Sequence, residues 1–354
     1  IGGKDPFIYH MTNMVLHIIN ALLVYSVSQL IFTRRTISFA AAMLFALHPV
    51  QTEAVANVAG RADLLCMMFF LMALILYIKS IDTQRWAYGL SLVSFLLALL
   101  SKENAITLLG VLVSYDIGFA FGQDERTSIG NYLIHRVKYR YSGYVLATLL
   151  YLAIRYWVLG RFTPGGASIG KLDNPIAALG AYPRILTAIK VTFRYLMLLV
   201  LPLRLSADYS YNQIPVSTSF WEYEVVASFS ILVCILVYWI YSYFASKRVF
   251  FCISFFFITF SIVSNIFTPI GTIMGERLLY VPSVGFAMGL AILWDILYRT
   301  FTAKRVQWIS VLLFVGFVGL YGYRAILRNA DWRSLYTLFS NAVNVCPNSA
   351  KVHY

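Results

Sequence analysis

Charge is scarce in this chain. Only 12% of its 354 residues are Asp, Glu, Lys or Arg, against 60% hydrophobic, whereas a soluble domain carries about one-quarter charged residues. That scarcity excludes an ordinary water-soluble globule and marks a membrane composition. Cysteine is scarce as well, with only Cys66, Cys234, Cys252 and Cys346. The first three fall in apolar runs and no C-x-x-C spacing occurs, so neither a disulfide framework nor a metal site is expected. There is no N-x-[ST] sequon. The opening IGGKDPFIYH has no Met and no basic signal-peptide region, and KVHY closes the chain within a helical pattern, so a fragment cut at both ends is expected. The net charge of +13 does not point to nucleic acid, because the basic residues are divided among many short loops.

What the chain has instead is apolar runs, at about 8–32, 37–49, 63–79, 86–100, 104–121, 142–159, 224–244, 249–268, 278–297 and 306–323. Runs near 17–25 residues read as spanning helices, so the expected fold is all-α and polytopic, with about ten spans. Lys and Arg collect in alternate connections: Arg34 and Arg35; Lys79 and Arg85; Arg126, Arg136, Lys138 and Arg140; Lys247 and Arg248; Arg299, Lys304 and Arg305. Such loops face the cytoplasm, although they also hold Asp82, Asp124 and Glu125. The other set holds Glu53, Asp63, Glu103, Asp173, Asp208, Glu222, Glu224 and Glu276 and is expected to be luminal or extracellular. The beginning of the chain and its C-terminal end then share that face.

The expected organisation is a membrane domain over 1–328 and a second region over 329–354. Within the first, 160–223 is a long connection with turn-rich pieces (TPGGASIG, LDNP, SADYSYNQIP) around an apolar segment. Arg184, Thr187, Lys190 and Arg194 share about one-third of a helical turn there, opposite Ile185, Ile189, Phe193 and Leu196. That pattern suits an interfacial or re-entrant helix. In 329–354, Leu335, Leu338, Phe339 and Ala342 make an apolar face, Pro347 ends the helix and Asn348-Ser349 can cap another, as at the start of a helix–turn–helix array.

Ionisable residues concentrate on one face of the predicted bundle. ALHPVQTEAVANVAGRADLL (46–65) carries His48, Glu53, Arg61 and Asp63 on a mostly apolar segment, where ionised groups need partners because each pays several kcal/mol of desolvation. A solvated loop is the alternative. Lys102 and Glu103 sit between two runs with almost no loop, and Glu276-Arg277 precede LLYVPSVGF at the mouth of another span. Snorkelling could account for Lys102 alone, but not for four clusters on one face. Basic groups there could bind phosphate, and acidic ones could take a proton. In the first run, His10, Asn13, His17 and Asn20 share a helical face. Two readings stand: hydrogen bonds between helices, or His10 bordering an active cavity.

These residues carry a resemblance. H-P-V-Q-T-E-A-V with G-R-A-D (48–55, 60–63), S-K-E (101–103), D-N-P (173–175), D-Y-S-Y…I-P (208–215), G-E-R-L-L-Y-V-P-S (275–283) and D-W (331–332) resemble, in order, the TMTC family of transmembrane and tetratricopeptide-repeat (TPR) protein O-mannosyltransferases. The resemblance covers nearly the whole chain. It implies a GT-C glycosyltransferase fold in the endoplasmic reticulum membrane, with luminal TPR repeats beginning at 329–354. It implies transfer of mannose from dolichyl-phosphate-mannose to Ser or Thr of luminal acceptors such as cadherin-type domains. No cofactor is implied, since the lipid-linked donor is a substrate. The family's catalytic carboxylate is expected in a first luminal loop upstream of residue 1.

Within this frame Lys102, Arg61 and Arg277 are the expected donor-phosphate ligands, with Arg184, Lys190 and Arg194 as second choices. Glu53, Asp63, Glu103 and Glu276 are expected to orient them or hold the sugar, and His10 and His48 to line the cavity. Glu53, Arg61, Lys102 and Arg277 should meet around one cavity. Two rivals remain. A polytopic transporter should place its charges near the bilayer midplane, in two related halves. A non-catalytic membrane scaffold presenting luminal repeats would lack the upstream carboxylate.

Overall fold

The computed structural model describes residues 6–82, 85–121, 136–160, 169–301 and 303–353, with positions 130 and 134. Arg126, Asp124, Glu125 and most of TPGGASIG lie outside these residues, as do the side chains of Asp82 and Arg85. Among the described residues every regular element is helical. In chain order they are α1 (Pro6–Phe32), α2 (Arg35–Leu47), α3 (Gln51–Ala56), α4 (Arg61–Asp82), α5 (Arg85–Ser101), α6 (Leu108–Tyr115) and α7 (Ser142–Leu159). There follow α8 (Ala181–Val200), α9 (Tyr223–Ala245), α10 (Lys247–Ser261), α11 (Ser283–Thr300), α12 (Lys304–Asp331) and α13 (Leu335–Val345).

Among the described residues, five helical stretches are long and apolar enough to cross a membrane: α1, Val58–Ile81 around α4, Val137–Leu159 around α7, α9, and α12. α2 and Trp86–Ser101 of α5 are shorter apolar helices. The chain is therefore an all-α, polytopic membrane protein. Hydrocarbon offers no partner for free backbone groups, which is why the crossings are helices. Their outer faces are apolar and unburied: Leu146 and Leu149 on α7, and Leu312 and Leu313 on α12, are exposed.

Some runs break where a continuous helix was predicted. Residues 104–121 divide into a 3₁₀ turn (Glu103–Thr107), α6 and a π-turn (Asp116–Ala120). α10 stops at Ser261, and Asn265 turns the chain with φ +60°. Its side chain compensates by donating to the Thr272 and Ile273 carbonyls.

α4 pairs with α5, and α1 packs on α2 and α4. α11 lies between α2 and α10, while α8, α9 and α10 form a second layer. Gly285 makes one close approach possible, because a Cβ there would meet the Cys252 carbonyl oxygen at 2.6 Å and the Phe256 nitrogen at 2.7 Å. The polar stripe of α1 is consumed by neighbouring helices. Asn13 donates to the Val55 and Asn57 carbonyls, and Asn20 donates to the Leu64 carbonyl and the Tyr280 hydroxyl. His17 bridges Tyr280 and the Ala46 carbonyl. The interhelical reading describes these three residues.

Candidate functional site

The first turns of α1 and α4 and the ends of α2, α5 and α12 meet at one end of the bundle. His48 leaves α2 in an extended conformation (φ −67°, ψ 125°). Its Nδ1 accepts the Val50 N–H and its Nε2 donates to the Leu199 carbonyl, so both ring nitrogens are used by a neutral imidazole. α3 then presents Glu53. Gly60 closes the return, since a Cβ there would collide with the Ala54 carbonyl oxygen. Asp63 falls in the first turn of α4, where the helix dipole favours a carboxylate.

Two cation–carboxylate pairs face each other across this end. Lys102 Nζ donates to Asp63 Oδ1 at 2.5 Å. The Arg277 backbone N–H donates to Glu53 Oε2 at 2.9 Å, and its guanidinium reaches Glu53 Oε1 at 3.3 Å. Asp63, Lys102 and Arg277 line one cleft with Asn104, Thr107 and Thr259. Its free volume is about 10 Å³, room for about one water. The carboxylates are buried at 8% and 4% side-chain exposure, while Lys102 and Arg277 keep 21% and 39%. An incoming anion therefore meets the cations first.

Behind Arg277 the next side chain turns inward. Glu276 Oε1 accepts the Ser206 N–H (2.6 Å) and the Tyr209 hydroxyl (2.8 Å). Its Oε2 stands 3.8 Å from Arg328, and both side chains are fully buried. Burial pushes the Glu276 carboxyl up to about 8, against the pull of Arg328. Burial also raises Glu53, with Arg277 opposing.

The other expected site residues lie elsewhere. Arg61 is not in the cleft: it donates to Asn13 Oδ1 and the Tyr9 carbonyl and covers the Tyr9 ring at 5.2 Å. Glu103 turns to Arg155 at 3.5 Å rather than to Lys102. His10 is exposed on the first turns of α1, and His48 is packed against Tyr321 and Phe286; neither borders the cleft. The basic face of α8 is partly covered by protein, with Lys190 buried and Arg184 and Arg194 half-buried. Lys190 donates to the Pro215 carbonyl and, with Arg194, pairs with Glu224, while the Thr187 hydroxyl accepts the Ser217 N–H. Arg184 does not line the cleft. Arg328 was not foreseen, because a lone Arg near the end of an apolar helix has the sequence signature of snorkelling.

Residues 1–157 match the family model described as dolichyl-phosphate-mannose-protein mannosyltransferase. Residues 167–236 match that of protein O-mannosyl-transferase TMTC, DUF1736. The similarity to curated proteins runs the length of the chain. Protein O-mannosyl-transferase TMTC3 of Mus musculus is 31% identical over 378 residues, 99% of this chain and 40% of that protein. TMTC4 of Homo sapiens is 31% identical over 396 residues, 100% of this chain and 52% of that protein. The chain belongs to the TMTC family. It is also similar to protein O-mannosyl-transferase F38B6.6 of Caenorhabditis elegans, 30% identical over 98% of this chain and 47% of that protein. The chain thus spans about half the length of the curated relatives it matches. No solved structure matches it.

In this TMTC chain the remaining motif residues act as fasteners. Asn174 donates to Asn265 Oδ1 and the Ile270 carbonyl, and Asp173 pairs with Lys351. Asp208 Oδ1 accepts the Ser210 N–H and the Ser349 hydroxyl. The Ala350 N–H donates to the Tyr211 carbonyl, and the Asn212 N–H to that of Asn348. The DYSY loop thereby ties the segment after α13 to the membrane domain.

Proposed function

We propose that the chain is the GT-C membrane domain of a protein O-mannosyltransferase in the endoplasmic reticulum membrane, with its cleft at the luminal face and a TPR array beginning at α13. The donor is dolichyl-phosphate-mannose and the acceptor is a Ser or Thr hydroxyl of a luminal protein such as a cadherin-type domain. The observation that carries this reading is the convergence of Lys102 and Arg277, from distant parts of the sequence, on one cleft. Lys supplies a point charge and Arg a planar fork, a pair suited to a phosphate monoanion bridged to lipid and sugar.

In the reaction the acceptor oxygen attacks the anomeric carbon while the bond from that carbon to the phosphate oxygen breaks. The hydroxyl proton passes to a carboxylate, and dolichyl phosphate leaves with the electron pair. Displacement from the opposite face converts the β-linked donor into an α-mannoside. Lys102 and Arg277 neutralise the charge that builds on the leaving phosphate. Asp63 and Glu53 hold these cations and are not assigned as the base. The donor carries its own leaving group, so no cofactor enters.

α10 connects the cleft to the membrane side of the molecule. Thr259 lines the cleft, while Phe257 and Phe260 line an apolar crevice of about 500 Å³ with Leu232, Ile235 and Trp239. A polyprenyl chain is accommodated there. Opening the cleft from the volume of one water to that of a sugar phosphate requires Lys102 and Arg277 to part. The test is donor binding to Lys102→Ala and Arg277→Ala in the full-length protein. Both are expected to weaken it at least tenfold, in line with loss of a charge-assisted hydrogen bond. Unchanged affinity in both removes the reading.

A further inference from the structure

We propose that Arg328 is a positioning residue that transmits the placement of α13 to the Arg277 guanidinium, through Asp331 on one side and Glu276 on the other. The inference rests on the donor-phosphate reading of Arg277 given above.

The connection is continuous. On α13, Asn341 donates to Asp331 Oδ2, and the Thr337 hydroxyl donates to the Asp331 carbonyl. Arg328 donates to the same Asp331 Oδ2 at 3.1 Å. Its other amino nitrogen stands 3.8 Å from Glu276 Oε2, and Glu276 is held from its second oxygen by Ser206 and Tyr209. Glu276 and Arg277 are consecutive residues of one 3₁₀ turn (Glu276–Leu279). A shift of the Glu276 side chain therefore moves the backbone N–H by which Arg277 grips Glu53.

The chemistry of the buried groups separates this from plain packing. Arg328 is fully buried, and its Nε and one amino nitrogen make no hydrogen bond; neither does Glu276 Oε2. A buried guanidinium without its full complement of partners is costly, and here a separation of 3.8 Å leaves the pair able to close or to open. Any load on α13 that moves Asp331 changes that separation. Two cations and three carboxyl groups share the region (Arg277, Arg328, Glu53, Glu276 and Asp331), so losing Arg328 leaves three carboxyl groups with one cation among them. Such groups respond as a unit and not additively.

The experiment is a double-mutant cycle in the full-length protein, read as the KM and kcat for a short-chain polyprenyl-phosphate-mannose. Arg328→Ala can fail to fold, so the cycle pairs Asn341→Ala, which removes only a hydrogen bond to Asp331, with Arg277→Lys. Arg328→Lys serves as the conservative variant. The expected result is a KM raised about threefold or more by Asn341→Ala with kcat little changed, and no further rise when Arg277 is already Lys, since coupled residues are non-additive. Arg328→Lys should retain part of the effect by keeping the charge. Additive effects, or an Asn341→Ala enzyme with wild-type KM while Arg277→Lys remains impaired, would overturn the inference and leave the phosphate reading intact. A wild-type KM in Arg277→Lys and Arg277→Ala alike would overturn the phosphate reading itself, and the inference with it.

Discussion

Lys102 Nζ and Asp63 Oδ1 are 2.5 Å apart, joining the end of α5 to the first turn of α4 at the mouth of the cleft. The ion pair makes Asp63 the group that aims Lys102. Asp63→Asn is therefore expected to raise the donor KM severalfold, but never beyond the effect of Lys102→Ala. The double variant should resemble Lys102→Ala alone. Kinetics of the three variants check this, and additive losses would show that Asp63 acts elsewhere.

The second pair predicts an asymmetry in stability. Arg277→Ala keeps the backbone N–H on Glu53 but leaves the buried carboxylate without its paired charge, a loss of about 3 kcal/mol in such settings. Glu53→Gln keeps the shape and an oxygen for the Arg277 N–H, and should cost about 1 kcal/mol. Thermal unfolding in detergent should place Arg277→Ala below Glu53→Gln in Tm.

Glu276 gives the pH dependence its sign. Its folded-state pKa of about 8 lies above the ordinary value of 4.5, so between these values the folded chain holds a proton that the unfolded chain has lost. Stability is then expected to fall as pH rises from about 5 to 8, and Glu53, raised for the same reason, adds to the slope. Glu276→Gln mimics the protonated form and should flatten the Tm–pH profile across that window. An unchanged slope would contradict the assignment.

Gly285 offers a packing test away from the charges. Gly285→Val drives a side chain into the α10 backbone at Cys252 and Phe256 and should destabilise by about 3 kcal/mol or more. Gly316→Ala, where nothing lies within 4 Å, should be neutral or slightly stabilising. Comparing the Tm of the two variants decides it.

The class of the fold was legible in the sequence, and so was the grouping of ionisable residues at the breaks between apolar runs from which the candidate site is built. Scarce charge and long apolar runs leave helices as the only available element, and the S-K-E, G-R-A-D and G-E-R pieces stand where those runs break. Side-chain direction was not legible. Arg61 and Asp63 are two residues apart on one helix, about 200° around its axis, so they face different neighbours, and Arg61 finds Tyr9 and Asn13. The basic stripe of α8 suits a lipid headgroup plane by its pattern alone, yet the 215–224 segment returns over it and buries Lys190. Arg328 carries no local signal. Its role depends on Glu276, fifty-two residues earlier in the chain.

The most direct measurement is a cryo-EM map of the full-length protein with bound dolichyl-phosphate-mannose or a non-hydrolysable analogue. The expected density places the phosphate between Lys102 Nζ and the Arg277 guanidinium, within hydrogen-bond distance of both, with the lipid chain leaving along α10. A phosphate bound elsewhere, with the Lys102–Asp63 and Arg277–Glu53 pairs undisturbed, would contradict the account.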